Sequence, residues 1–276
     1  MKVKIAVVQF EMQTWQIASN LAKIDQFIAK AAKSKADLIV FPEDCVTGPI
    51  LGKVEYVDHH KNHLKHFQKL ATKYKIDLVP GSWMEADPRS KGWYNTTYYI
   101  DRTGKIKARY RKNHLWLSER SFLTPGHESP VFNTRFGKIG LSICWDLMFP
   151  EHFRSLAKRG AQIVICPSHW TRGLAGATKN PSLPKEWESA HVNSLVRARA
   201  IENEIILVYA NLAGTGQYGK HTDEMIGQSQ IAMPFFSPLK HLDHNQEEMF
   251  ICKVDTKYLK LAEKFYKIRA DIKNSY

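Results

Sequence analysis

Apolar and polar positions along the chain change period several times, and each change marks an element. Ile5–Phe10 is a β-rich run, after which Leu21, Ile24, Phe27, Ile28 and Ala31 recur at helical spacing. Ala36–Phe41 ("ADLIVF") is a continuous apolar run that reads as a buried strand ending at Pro42. Leu64, Phe67, Leu70, Ala71 and Tyr74 trace a second helical face, and Ile76–Pro80 ("IDLVP") a third strand. Strands alternating with helices in this first third predict helices packed on a sheet.

Further on, antiparallel pairing enters. Tyr94–Ile100 and Lys105–Tyr110 flank Asp101-Arg102-Thr103-Gly104, a hairpin signal, and Val131–Asn133 and Lys138–Ile143 flank a turn at Phe136-Gly137. Pro150 opens a short helix that Gly160 closes, with Lys158 and Arg159 suited to its negative end. Ile163–Cys166 is a strand, Trp187–Asn203 a long helix and Ile205–Ala210 a strand. Gln230–Met233 and Met249–Val254 predict late strands, and Tyr258–Ile272 a terminal helix. No low-complexity linker interrupts this order. Residues 1–276 read as one α/β domain with a C-terminal helical extension from about residue 255.

Composition narrows the function classes. A formal charge of +13 raises nucleic acid as a partner, but the lysines are spread through nearly every segment and are not interleaved with aromatics. The densest stretch, Lys257 to Lys273, reads as one solvated helix face, so nucleic-acid binding is not expected. No stretch approaches the ~20 apolar residues that cross a bilayer, and the opening MKVKIAVVQF is too short in its apolar part for a signal peptide. Four scattered cysteines without a CxxC pair suggest a reducing compartment, and a cytoplasmic location is expected.

Three strand ends carry polar residues. "LIVFPED" puts Glu43 just past a buried strand that Pro42 stops; "ARYRKNHLW" puts Lys112 after the second hairpin strand; "LSICWD" puts Cys144 at the end of another. Strand ends in layered α/β folds face crevices on a rigid support. A carboxylate, an ammonium and a thiol brought together there can remove a proton, attack a carbonyl and stabilise the resulting oxyanion. Each alone has a plainer reading: a core cysteine, a solvated loop glutamate, a surface lysine.

Together with their flanks these residues resemble the nitrilase superfamily of carbon–nitrogen hydrolases. The resemblance runs from Lys4 to about Val254 through "KIAVVQF", "LIVFPE", "YRKNHL", "ERSFLTPG", "GLSICWDLMFPE" and "RARAIENEIILVYAN". It implies an αββα sandwich of mixed sheets flanked by helices, paired into a homodimer or a larger oligomer built from dimers. It also implies Cys144 as nucleophile, Glu43 as general base and Lys112 as the group that stabilises the tetrahedral intermediate. Glu119 resembles the second glutamate, which orients substrate and lysine, and the Trp145 backbone N–H would complete the oxyanion hole. No metal or organic cofactor is implied. The expected partner is a small amide, cleaved through a thioester, with nitriles and N-carbamoyl amino acids as alternatives, and a non-catalytic interaction protein on the same fold as a rival of another class. A cation beside Cys144 is expected to lower the thiol's pKa.

Within that resemblance, Asp146 two places after the cysteine resembles the amidase-type branches. Met148 stands where relatives that grip a carboxylate keep an arginine, which methionine cannot replace as a bidentate clamp. Met148, His169 and Trp170 are therefore expected to line a partly apolar substrate pocket with Phe149. Three other patterns read as incidental. Gly214–Gly219 matches GxGxxG but no helix follows; His59, His60, His63 and His66 sit among lysines on a solvated helix; Asn95-Thr96-Thr97 is a bare glycosylation sequon.

Overall fold

The computed structural model describes residues 1–172, 184 and 186–275. In chain order the elements are β1 (Lys2–Gln9), α1 (Ile17–Lys33), β2 (Leu38–Glu43), α2 (Asn62–Tyr74), β3 (Asp77–Asp87), β4 (Gly92–Ile100) and β5 (Ile106–Arg111). Then follow β6 (Val131–Thr134), β7 (Gly137–Leu141), α3 (Pro150–Lys158), β8 (Ile163–Ser168), α4 (Trp187–Glu202) and β9 (Ile206–Asn211). The last third holds β10 (Thr215–Tyr218), β11 (His221–Glu224), β12 (Gln230–Met233), β13 (Phe236–His241), β14 (Glu248–Asp255), α5 (Lys257–Phe265) and α6 (Ile268–Ser275).

Two six-stranded mixed sheets result, ordered β14-β1-β2-β3-β4-β5 and β13-β12-β9-β8-β7-β6. In each, three central strands run parallel, β1-β2-β3 and β7-β8-β9, and antiparallel strands flank them. Alternation in β1 shows the layering. Ile5 and Val7 join Val40, Val79, Leu141 and Ile165 in the core between the sheets. Ala6 and Val8 point the other way, onto Ile24 and Ile28 of α1 and Leu64 and Phe67 of α2. On the far side, Phe153 and Leu156 of α3 and Val192 and Val196 of α4 cover the second sheet. The αββα sandwich expected from the sequence is the fold.

Several elements differ from the pattern reading. β3 continues past Pro80 to Asp87, because Gly81 at φ +77° lets the strand kink and resume. β10, β11 and β13 do not register in the apolar pattern; the first two are polar-rich four-residue strands that pair only with each other. The terminal helix is two helices, broken where Lys267 takes φ +56°. Both are docked on the body: Leu259 of α5 reaches the central core, and Arg269 of α6 donates to the Ala161, Asn203 and Glu204 carbonyls. No helix among the described residues is long and apolar enough to cross a membrane.

Gly81 also sets the position of Glu43. A Cβ at Gly81 would stand 2.0 Å from the Pro42 carbonyl oxygen and 2.9 Å from Cys45 Sγ. Backbone contact of that kind admits only glycine, and a positive φ adds to the constraint. Gly81→Ala is expected to lower stability by about 2–4 kcal/mol, measured as a drop in denaturant midpoint at unchanged m-value.

Candidate active site

The carboxyl ends of β2, β5 and β7 meet at one rim of the sandwich, where Glu43, Lys112 and Cys144 line a single pocket with Glu119. Lys112 follows β5 directly, and its own backbone is fixed on both sides: its N–H donates to the Asn95 carbonyl (2.9 Å), and its carbonyl accepts from Gly126 N–H (2.8 Å). Its ammonium, only 2% exposed, lies 2.9 Å from Glu43 Oε1 and 2.8 Å from Glu119 Oε2. Burial disfavours that charge, but Glu119 and Glu43 outweigh it and hold Lys112 well above its ordinary value, firmly cationic. Glu119 sits on a short 3-10 turn, Ser118–Ser121, and also receives the Trp116 N–H at 2.6 Å.

Asn95 completes this cluster, and the sequence reading passed over it. Its side-chain amide donates to Glu43 Oε1 at 2.7 Å and to Glu119 Oε1 at 3.0 Å. It is wholly buried on β4, so the sequon it begins is inaccessible at its asparagine. Only the registers of β3, β4 and β5 bring it between the two carboxylates.

Cys144 stands at φ +43°, at the sharp turn where β7 passes through Ser142-Ile143 into a 3-10 helix, Cys144–Met148. A left-handed φ at a cysteine costs free energy and persists only where the surroundings enforce it. Asp146 supplies much of that enforcement. Its Oδ2 accepts from Ile143 N–H (2.9 Å) and the Tyr110 hydroxyl (2.7 Å); its Oδ1 accepts from His114 N–H (3.1 Å) and lies 2.7 Å from His114 Nδ1. Burial would raise Asp146, but the bonds from His114, Tyr110 and Ile143, with the nearby His152, hold it below its ordinary range. Arg199 of α4 adds a bond to the Leu147 carbonyl at 3.1 Å. Asp146 is therefore a scaffold carboxylate that is absent from the described pocket lining.

The electrostatics revise one expectation. Lys112 does pull the Cys144 thiol down, but burial and the Glu43 charge dominate and push it well above its ordinary value. The resting sulfur is a neutral thiol that shares the pocket with the Glu43 carboxylate. Burial also raises Glu43, against the opposing pull of Lys112, to about 6. A carboxylate ionised above that pH, beside an un-ionised thiol, is arranged to accept its proton.

Of the residues expected to bind substrate, Trp145, His169 and Trp170 line the pocket. Met148 does not. Its side chain is 40% exposed at the end of the turn, and Phe149 stacks on His114 instead (centroids 3.7 Å apart). The reason is helical period: three residues per 3-10 turn bring Leu147 back to the face of Cys144 and rotate Met148 away. The walls are instead built from Trp116, Trp145 and Trp170, with Trp116–Trp145 centroids 4.3 Å and Trp145–Trp170 5.4 Å apart. Ile50, Leu51, Met84 and Phe122 close the apolar side. The cavity is about 120 Å³, against ~10–15 Å³ for one water on this measure, so it suits a small organic molecule.

The incidental patterns fall elsewhere. Gly214–Gly219 forms the β10 side of a hairpin with β11, and only Tyr218 of it reaches the pocket. His63 packs edge-on against Trp83, and His66 bonds Asp25 at 2.9 Å, both half-buried, while His59 and His60 are exposed.

Comparison with known proteins adds to this geometry. The carbon-nitrogen hydrolase family model matches residues 4–264. A probable nitrilase of Schizosaccharomyces pombe is 31% identical over 272 residues, spanning 96% of this chain and 93% of its own. Omega-amidase NIT3 of Saccharomyces cerevisiae is 31% identical over 80% of this chain and 77% of its own, and 2-oxoglutaramate amidase of Bacillus subtilis 30% over 85% and 84%. Among solved structures, S. cerevisiae Nit3 superposes with a TM-score of 0.80 at 26% identity, covering 95% of this chain and 93% of its own. A mutant amidase from Nesterenkonia sp. AN1, showing Michael addition of acrylamide at its active site cysteine, superposes with a TM-score of 0.78 at 25% identity over 98% and 99%.

The Asn95 bridge yields a stability test. Asn95→Ala removes two buried hydrogen bonds to carboxylates and should cost about 1–3 kcal/mol, read from equilibrium urea unfolding.

Proposed function

Because the chain belongs to the carbon–nitrogen hydrolase family of the nitrilase superfamily, we propose that it hydrolyses a small, uncharged amide to a carboxylic acid and ammonia through a thioester on Cys144. The observation that carries this reading is the Lys112 ammonium, held between Glu43 and Glu119 in the pocket that Cys144 also lines. The Nesterenkonia adduct, formed at that protein's active site cysteine, supports the assignment of the nucleophile. A non-catalytic interaction protein would have no use for a buried ion triad beside a buried thiol.

Each step follows from the groups present. Cys144 Sγ attacks the amide carbonyl carbon as its proton passes to a Glu43 carboxylate oxygen. The carbonyl π pair moves to oxygen, and the oxyanion is met by the Lys112 ammonium and the Trp145 backbone N–H. Collapse re-forms the carbonyl and breaks the C–N bond while Glu43 returns its proton to the leaving nitrogen, releasing ammonia. A water then loses a proton to Glu43 and attacks the thioester. The second tetrahedral adduct expels sulfur, which recovers the proton from Glu43. Glu119 keeps the ammonium in place throughout, and Asn95 bridges the two carboxylates.

The substrate class follows from the walls. Three indoles and Phe122 favour an apolar or aromatic acyl group. Among the described lining residues Lys112 is the one Lys or Arg, and both its partners are catalytic carboxylates. The ring of His169, also on the lining, is engaged by Asp44 and the Tyr218 hydroxyl, so no free clamp for a substrate carboxylate remains among them. In a panel of purified-enzyme assays, neutral amides should show higher kcat/KM than amides bearing a free α-carboxylate; preferential turnover of the latter would overturn this part of the reading.

Cys144→Ala should reduce ammonia release by roughly a thousandfold or more while thermal unfolding stays near that of the parent. In the parent, kcat/KM should rise with pH through a limb near the Glu43 value of about 6, since only the ionised base accepts the thiol proton. Peptide mass mapping after an acid quench should show the acyl group on Cys144; an acyl group on no cysteine would sink the covalent mechanism.

A further inference from the structure

One residue touches both reacting groups without supplying a reacting side chain. The backbone N–H of His169 donates to Glu43 Oε2 at 2.9 Å, and its carbonyl accepts from Cys144 Sγ at 3.6 Å. These two bonds tie base and nucleophile to the main chain of one residue. The ring of His169 is held on its other side: Nδ1 lies 2.9 Å from Asp44 Oδ2, and Nε2 lies 3.2 Å from the Tyr218 hydroxyl. Asp44 itself takes φ +59°, and its second oxygen, Oδ1, is buried without a hydrogen-bond partner among the described residues. The imidazole is thus the group that offsets the Asp44 charge.

The surroundings of the ring are acidic. Asp44 and Glu43 face it from the end of β2, and Asp223 acts on it from β11. The neutral phenol of Tyr218 contacts it from β10, and the neutral Cys144 thiol contacts its backbone from the turn after β7. The site's other cation, Lys112, is bound to the opposite oxygen of Glu43. Burial opposes a charge on the ring, but the bond and charge of Asp44, with Glu43 and Asp223, outweigh it and raise His169 above its ordinary value. In the other direction, the His169 charge pulls Glu43 down, against the upward effects of burial, Asp44 and Glu119. Without it, three carboxylates would share the single charge of Lys112.

We propose that His169 is a positioning residue that acts through Glu43: clamped as an imidazolium between Asp44 and Tyr218, it aligns base and thiol by its main chain and keeps the base ionised near neutral pH. This rests on the reading of Glu43 as base and Cys144 as nucleophile. It gives the Asp44–His169 pair, absent from the Glu-Lys-Cys chemistry itself, a definite task. It also fixes the sign of its loss: removing the cation raises Glu43, so a reaction that needs the carboxylate starts at higher pH.

Alkylation of Cys144 by iodoacetamide, followed by peptide mass as a function of pH, reads the base–thiol pair without needing the natural substrate. His169→Asn puts an amide nitrogen near the place of Nδ1, keeping the bond to Asp44 and the main-chain contacts while removing the charge. Its acid limb should lie above that of the parent by about half a pH unit or more, with alkylation at high pH largely retained. His169→Ala, which loses the bond to Asp44 as well, should slow alkylation at every pH. A His169→Asn limb that coincides with the parent's overturns the proposal. If that variant does not fold, ring 15N NMR of the parent decides: a doubly protonated His169 at neutral pH is expected, and a neutral ring overturns the proposal. Failure of the underlying reading would look different, with the parent's Cys144 left unlabelled and Cys144→Ala still releasing ammonia; that outcome would overturn the proposal too.

Discussion

Everything at the rim of the sandwich is arranged around one buried ammonium. Lys112 is 2% exposed, and taking its charge out of water costs several kcal/mol unless anions replace the solvent. Glu43 and Glu119 do so at 2.9 and 2.8 Å, which in turn requires two carboxylates to lie close together. Asn95 bridges them with one amide group, and its own place depends on the pairing of β4 with β3 and β5. The cluster is therefore held by three strands of one sheet and a 3-10 turn, and none of its members is replaceable without uncovering a charge.

The opposing sheet carries Cys144 under a different constraint. Cys144 is kept in a left-handed conformation by Asp146, whose four bonds draw in β5, the loop beyond it and the backbone just before the cysteine. The two sheets thus present base and thiol from opposite sides of the core, and His169, at the end of β8, links them by its main chain. That division has a chemical consequence. Burial keeps the thiol protonated at rest, so in the proposed reaction its nucleophilicity would develop as Glu43 takes the proton. A buried thiol of this kind is protected from casual oxidation as well.

Some of this was legible in one dimension. Glu43, Lys112 and Cys144 could be singled out because each ends a strand with recognisable apolar period, and Glu119 because its flanks match a family block. Asn95 could not be singled out. Its role depends on strand register, and in the sequence Asn95-Thr96-Thr97 carries only the unrelated signal of a sequon. Met148 was placed in the pocket by resemblance alone, and the 3-10 turn after Cys144 instead leaves its side chain 40% exposed and off the lining. Asp146 carries a resemblance to amidase-type branches in the sequence, and the structure adds that it braces the turn.

What the sequence determined by itself is the layering and which polar side chains stand at the strand ends. Period-two and period-3.6 patterns fix which faces must be buried, and the hydrophobic effect leaves few ways to bury them. What only the tertiary structure decided is the ionisation and the company of those groups. Whether Cys144 rests as a thiol, whether His169 is charged and which walls meet the substrate all depend on distances of about 3–4 Å between residues far apart in the chain. Electrostatic effects at that range are set by burial and partners, and neither is written in the order of the residues.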